Sequence, residues 1–357
     1  MHIAFCTDTN YIMPAGVAMI SICENNKEEE ITFHLVITDE GYATNEVDEK
    51  VNPLLDIVKL YQKKAEIYRM DAAKISSFVC TGAEYISTTA FARIFLPELL
   101  PSSIHKVLYL DCDLVCDGKI NELWNIELSE ETPIGAVVDC NYASVSCKTI
   151  SQIPREKPYC NSGVLLMNLD CWRRNSYVQL AVSTAIENKF PLLDQDLLNH
   201  LFYNSIKIMP VRYNLQLATL LDGIDNCKIS PEYYDEIKAA CENPVIIHYL
   251  SANKPWNDEY CPKREVWDKY KQKTIWKDLK LQKCSARFDR TYIRREIEAS
   301  YWSDPFLFKD EMKHYLRFFN AVSKFKNKTK IIKIGSYFLD CLSFFLEKTY
   351  SYKVRNK

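Results

Sequence analysis

The stretch that decides the fold is "KVLYLDCDLVCDG", Lys106–Gly118. Val107, Leu108, Tyr109 and Leu110 are apolar in unbroken succession. A strand with one solvated face alternates; a strand apolar on both faces belongs to a sheet covered by helices on both sides. "IGAVVD", Ile134–Asp139, repeats the pattern. Further short apolar runs read as strands: "HIAFCT" from His2, "ITFHLVIT" from Ile31 and "AEIYRM" from Ala65. Between them lie amphipathic segments of helical length, from Pro14 to Cys23, Thr44 to Tyr61 and Thr89 to Leu100. Strand and helix alternating in this way predict an α/β fold, a doubly wound, mainly parallel sheet with helices on both faces.

Ligands in such sheets bind outside the carboxyl ends of the strands. Asp8, Asp111 and Asp139 each fall at or just beyond such an end, which predicts one shared pocket. Asp111 and Asp113 raise the sharper question, because two carboxylates one residue apart repel unless a cation or proton stands between them. A divalent ion with oxygen ligands, Mn²⁺ or Mg²⁺, is one answer. A turn in which the aspartates bond their own backbone is the other.

Other pieces bear on that choice. In "VIIHYLSANKPW" His248 ends a buried run and Lys254 follows six residues on. A lone histidine there reads as structural; with the lysine it suits a site shared by a metal and a phosphate. "YCNSGVLLMNLDCWRR", Tyr159–Arg174, presents Asn161 and Ser162 on a polar turn before a buried strand. "LLDQDLLNHLF" opens a helix with Asp194, Gln195 and Asp196, which in isolation read as acidic residues complementing the helix dipole.

Taken in order, "IAFCTDTNY", "TTAFARIFLPELLP", "KVLYLDCDLVCDG", "NSGVLLMNLDCWRR", "DQDLLNHLF" and "IHYLSANKPW" resemble the family 8 glycosyltransferases. These are retaining enzymes of the GT-A fold that include bacterial lipopolysaccharide galactosyl- and glucosyltransferases. The resemblance covers residues 1–262 and implies a nucleotide-sugar transferase domain, with residues 263–357 a helical, basic and aromatic extension. It implies Asp111, Asp113 and His248 as metal ligands for Mn²⁺ or Mg²⁺, and Asp8 and Asn10 as uracil and ribose contacts. Arg93 is implied on the ribose–sugar side, Lys254 on the diphosphate, and Asp139, Asn161, Asp194 and Gln195 around the donor sugar. Gln195 is the family's nearest candidate for a nucleophile, and an amide is a poor one. Two positions depart from the family pattern: Ser251 stands where a glycine is usual, and Tyr85 where lipopolysaccharide members carry a histidine.

The implied reaction moves galactose or glucose from a UDP-sugar to a saccharide or glycolipid acceptor. Glycogenin-like self- or protein-glucosylation and non-catalytic UDP binding are the alternatives. Composition is compatible with all three, since 47% hydrophobic and 26% charged residues are ordinary for a globular chain. The net charge of −2 is unevenly spread: from Lys309 to Lys357 stand 12 Lys and Arg against 4 Asp and Glu. In "IIKIGSYFLDCLSFFLEK", Ile331, Ile334, Phe338, Cys341 or Leu342, and Phe345 would share one helical face. A basic amphipathic helix reads as membrane-surface contact, or as a helix packed on its own protein. No nucleic-acid partner is expected. The 14 cysteines form no C-x-x-C pair, and the amino terminus has no signal-peptide pattern. A cytoplasmic, reducing location is expected, at the inner face of a membrane if the tail binds there.

Overall fold

The computed structural model describes residues 1–39, 44–71, 88–140, 152–154, 156–188, 190–216, 233–250, 254–257, 261 and 263–280. Tyr85, Ser251 and the expected tail helix at 331–348 lie outside the described residues. The chain divides into two compact units, Met1–Lys254 with Glu265–Lys280, and Pro255–Arg264 with Leu281–Lys357. The first carries the sheet.

Its strands are β1 (His2–Thr7), β2 (Thr32–Asp39), β3 (Lys64–Asp71), β4 (Lys106–Leu110), β5 (Leu114–Cys116), β6 (Ile134–Val138), β7 (Cys160–Asn168), β8 (Ile206–Ile208) and β9 (Ile246–His248). Seven form one sheet in the order β3-β2-β1-β4-β7-β6-β8, and β5 pairs with β9 in a small antiparallel sheet. All neighbours in the large sheet are parallel except at β7, which runs antiparallel to both β4 and β6. β1, β4 and β6 therefore point the same way, and Asp8, Asp111 and Asp139 follow their carboxyl ends.

The α-helices are α1 (Ile12–Asn25), α2 (Thr44–Leu60), α3 (Leu96–Leu99), α4 (Asn121–Trp124), α5 (Leu169–Arg174), α6 (Tyr177–Glu187), α7 (Leu193–Phe202), α8 (Tyr234–Glu242) and α9 (Arg264–Lys271). None of the described helices is long and apolar enough to cross a membrane. Alternate residues of β1 show why both sheet faces are covered. Ala4 and Cys6 join a core with Val107, Tyr109, Trp172, Phe202 and the α6 residues Val178 and Ala181. Ile3 and Phe5 are also fully buried, and Phe5 meets Phe33 of β2 at 6.3 Å between ring centroids. Trp172 and Phe202 pack edge-on at 5.3 Å, and burying side chains of this size contributes about 2–3 kcal/mol each. The predicted helix at Thr89–Leu100 is instead a 3₁₀ helix, Thr88–Phe95, running into the single turn of α3. Arg173 holds that turn by donating to the carbonyls of Pro97 (2.8 Å), Ile104 (2.8 Å) and Leu100 (3.0 Å).

Nine described cysteines are free thiols and all are buried. Burial pushes Cys6, Cys23 and Cys116 up to about 12, so they pack as small apolar groups rather than as thiolates.

Candidate active site

The site is built where the regular ladder breaks. Ala136 of β6 faces Leu165 of β7, yet the next residue, Val137, faces Asn161. Residues 162–164 of β7 thus have no opposite number on β6, and because β7 runs antiparallel to β4 and β6 its first residues, Asn161–Gly163, lie at the carboxyl ends of those strands. Asn161 and Ser162 are therefore strand residues, not the turn before a strand that their polarity suggests. On its other side β7 stays bonded to the β4 end, with Asp111 N–H donating to Gly163 O at 2.8 Å.

Gly163 is required by close approach. A Cβ there would lie 2.1 Å from His248 Cε1 and 2.8 Å from Asp111 Oδ2. The carboxylates of Asp111 and Asp113 and the imidazole of His248 converge in front of it, their ligand atoms within 4.8 Å of one another. His248 Nε2 lies 3.1 Å from Asp113 Oδ1 and 3.6 Å from Asp111 Oδ2. The short β5–β9 ladder fixes this meeting, because Leu114, next to Asp113, is paired with His248 itself. Two carboxylates and an imidazole on rigid backbone are a donor set suited to a divalent ion such as Mn²⁺ or Mg²⁺. Lys254 closes the same side, its ammonium paired with Asp113 Oδ2 and donating to Tyr249 O at 2.7 Å. Burial alone would raise the Asp113 carboxyl; Lys254 and His248 outweigh it and hold Asp113 far below the usual carboxylate range.

Arg93 fastens Asp111 from behind. Its guanidinium lies 3.0 Å from Asp111 Oδ1 and 3.2 Å from Asp194 Oδ2, stacks over the Tyr109 ring at 4.4 Å, and donates to the carbonyls of Ala90 and Ser162. Tyr109 adds a hydrogen bond from its hydroxyl to Asp111 Oδ1 at 2.6 Å. The arginine's charge is thus matched by two carboxylates in a site where it is only 4% exposed.

The acidic first turn of α7 does not serve the helix dipole from the surface. Asp194, Gln195 and Asp196 are all buried. Asp196 accepts from the Tyr159 hydroxyl at 2.6 Å and from Leu192 N–H at 2.8 Å. Asp194 Oδ2 faces Arg93 without the alignment of a hydrogen bond. Burial pushes the Asp194 carboxyl up to about 6; Arg93 opposes the rise and the Asp111 charge adds to it. A raised carboxyl gives stability that is complete below its ordinary value, 3.8, and is lost as pH climbs through 6. A rise from 3.8 to about 6 corresponds to roughly 3 kcal/mol. Asp194→Asn has no such dependence. Its stability relative to the parent protein should rise by up to about 3 kcal/mol between pH 4 and pH 7.5 in urea unfolding. A difference that does not change with pH would contradict this.

The donor-sugar candidates form one continuous network. Gln195 Nε2 donates to Asp139 Oδ2 at 3.1 Å, and Asn161 Nδ2 donates to Gln195 Oε1 at 2.9 Å and Asp139 Oδ2 at 3.3 Å. Asn214, bonded to both Asn161 Oδ1 and His248 Nδ1, bridges this group to His248, Asp111, Asp113 and Lys254, and Arg93 extends the chain of contacts to Asp194. Asp8 and Asn10 stand at the end of the neighbouring β1. There Asp8 Oδ1 accepts from Asn10 N–H at 2.8 Å, and no described hydrogen bond or ion pair joins the two residues to the network. Sequence reading missed Tyr109, Gly163 and Asn214. A glycine inside the apolar run "NSGVLL" is a visible cue of close backbone approach, whereas nothing in "VRYNLQ" marks Asn214.

Comparison with known proteins identifies the family and the fold. The Glycosyl transferase family 8 profile matches residues 2–260. The chain is 29% identical over 264 residues to a lipopolysaccharide 1,2-glucosyltransferase of Escherichia coli, covering 72% of this chain and 73% of that one. It is 24% identical over 265 residues to a lipopolysaccharide 1,3-galactosyltransferase of Salmonella typhimurium, with the same coverage. Among solved structures, the galactosyltransferase LgtC in complex with donor and acceptor sugar analogs superposes with a TM-score of 0.65 at 23% identity, over 78% of this chain and 99% of that one. That likeness identifies the fold as GT-A.

Proposed function

The chain belongs to glycosyl transferase family 8, and on that premise we propose that it is a retaining hexosyltransferase. It moves galactose or glucose from a UDP-sugar to a saccharide or glycolipid acceptor of a surface glycan of the lipopolysaccharide type. The relatives that act as lipopolysaccharide glucosyl- and galactosyltransferases support the class of acceptor. The observation that carries the reading is the convergence of Asp111, Asp113 and His248 beside Lys254. Residues 1–262 carry the transferase site, and within 263–357 it is the basic tail, not the Glu265–Lys280 segment of the first unit, that contacts the membrane surface from the cytoplasmic side.

A divalent ion held by Asp111, Asp113 and His248 would offset the charge that grows on the UDP leaving group. Lys254 adds a positive charge on the same side, aimed by Asp113 and the Tyr249 carbonyl. Arg93 and Tyr109 hold Asp111 in one orientation, so its second oxygen is presented without rearrangement. Asp8 and Asn10 hold the uridine at the β1 end. Asp139, Asn161, Asp194 and Gln195 surround the hexose, where carboxylate and amide oxygens favour the positive charge that develops at an anomeric carbon. Gln195 Oε1 already accepts from Asn161 Nδ2 and from Ser162 N–H at 3.2 Å. With both lone pairs engaged it orients the site and does not attack, which favours substitution on a single face of the sugar.

The test is UDP release by the purified protein from UDP-galactose and UDP-glucose, with and without a saccharide acceptor. We expect release from one donor with Mn²⁺ present and a fall to background with EDTA. Release that ignores EDTA would refute the metal assignment. Absence of release with acceptor, together with no thermal stabilisation by UDP and Mn²⁺, would refute the function.

A further inference from the structure

The two side-chain amides at the centre of the network have only one orientation each. Gly163 N–H can only donate, and it meets Asn161 Oδ1 at 2.9 Å. The opposite end of Asn161 faces the Asp139 carboxylate, which accepts. Asn161 Oδ1 is also met by Asn214 at 2.8 Å, and only Nδ2 of Asn214 can donate to it. Asn214 Oδ1 is consequently the atom turned toward His248 Nδ1, at 2.9 Å. An amide oxygen only accepts, so Nδ1 carries the hydrogen. In a neutral imidazole the lone pair then sits on Nε2, which faces Asp113 and Asp111.

The fold holds Asn214 rigidly for this purpose. It is fully buried, directly after the 3₁₀ turn Val211–Tyr213. Leu215 beside it is bonded to β9 on both sides, its N–H to Ile246 O and its carbonyl to His248 N–H, each at 2.9 Å. The carboxylates in front of His248 pull in the opposite sense, because each would accept a hydrogen from Nε2.

We propose that Asn214 is the positioning residue that fixes the His248 tautomer. It keeps the hydrogen on Nδ1 against the pull of Asp111 and Asp113, and so reserves Nε2 as a donor atom for a divalent ion. Through Asn161 the same amide ties the metal ligand to the residues around the hexose. The proposal rests on the metal reading above, but the tautomer itself does not. Partners of this kind commonly contribute about 10- to 100-fold in metal affinity.

The experiment uses the full-length protein with ¹⁵N-labelled histidine, stripped of metal by EDTA, and reads His248 by long-range ¹H–¹⁵N correlation at pH 8.5. His248→Gln identifies the signal. The parent protein should show a hydrogen on Nδ1, whereas Asn214→Leu should carry its single hydrogen on Nε2. Mn²⁺ affinity of the Leu variant, from titration calorimetry, should fall about 10- to 100-fold. A bare Nδ1 in the parent protein overturns the proposal, and that measurement does not depend on how the variant folds. Unchanged Mn²⁺ affinity in a folded Leu variant overturns it as well. If the parent protein binds no Mn²⁺ at all, the metal reading fails by itself while the Nδ1 hydrogen still reports on Asn214.

Discussion

Asp113→Asn will lower transfer from the UDP-sugar by about 10²- to 10³-fold, the loss usual for a preorganised electrostatic contact at a developing charge. The substitution keeps the shape of the side chain and removes its charge. Three interactions change together: the pair with Lys254, the contact with His248 Nε2 and the carboxylate donor for a divalent ion. The backbone is spared, since Asp113 O still accepts from Tyr249 N–H at 2.9 Å. Circular dichroism and the thermal midpoint separate this loss from unfolding. A folded variant with weakened Mn²⁺ binding and a transfer rate reduced a hundredfold or more fits the assignment. A folded variant with the parent rate would remove Asp113 from the chemistry.

The second large effect is expected from a single methyl group. Gly163→Ala leaves every charge in place and puts a Cβ against His248 Cε1 and Asp111 Oδ2. Neither neighbour can withdraw easily. His248 is held by Asn214 and by its place in β9, Asp111 by Arg93, Tyr109 and its own N–H to Gly163 O. Overpacking in so constrained a position costs about 1–3 kcal/mol. We expect that loss in urea unfolding, a fall of at least about tenfold in Mn²⁺ affinity, and transfer reduced by about a hundredfold through displacement of the ligands. Parent-like affinity and rate would show that the cradle yields, and that its tightness has no part in function. Together the two variants separate charge from shape at Asp111, Asp113 and His248.

Much of this was legible in the residues because the signals were local. The unbroken apolar runs at Val107–Leu110 and Ile134–Val138 correctly gave strands buried on both faces. The aspartates after three strands do lie at one edge of the sheet, beyond the carboxyl ends of β1, β4 and β6. The ordered segments gave the family. What could not be read depended on pairing between distant parts of the chain. No periodicity distinguishes a parallel from an antiparallel buried strand, so the reversed direction of β7 was invisible. The bulge at residues 162–164 follows from registering β7 against β6, and without it Asn161 looks like part of a turn. Asp194–Asp196 fit a dipole-complementing pattern until burial is known. Asn214 is one polar residue in a short irregular segment, and its importance lies wholly in what the fold brings beside it.

The β5–β9 ladder has a consequence for the order of events during synthesis. Asp113 and His248 are 135 residues apart in the chain, and the ladder that joins them has only three residue pairs. A growing polypeptide exposes its two aspartates long before their third partner exists. Completion of the site therefore waits on the last strand of the described sheets, and a nascent chain stopped short of Ile246 cannot assemble it. The proposed site would double as a checkpoint on the finished fold, because only a chain that has paired its late strand with an early one brings Asp111, Asp113 and His248 together.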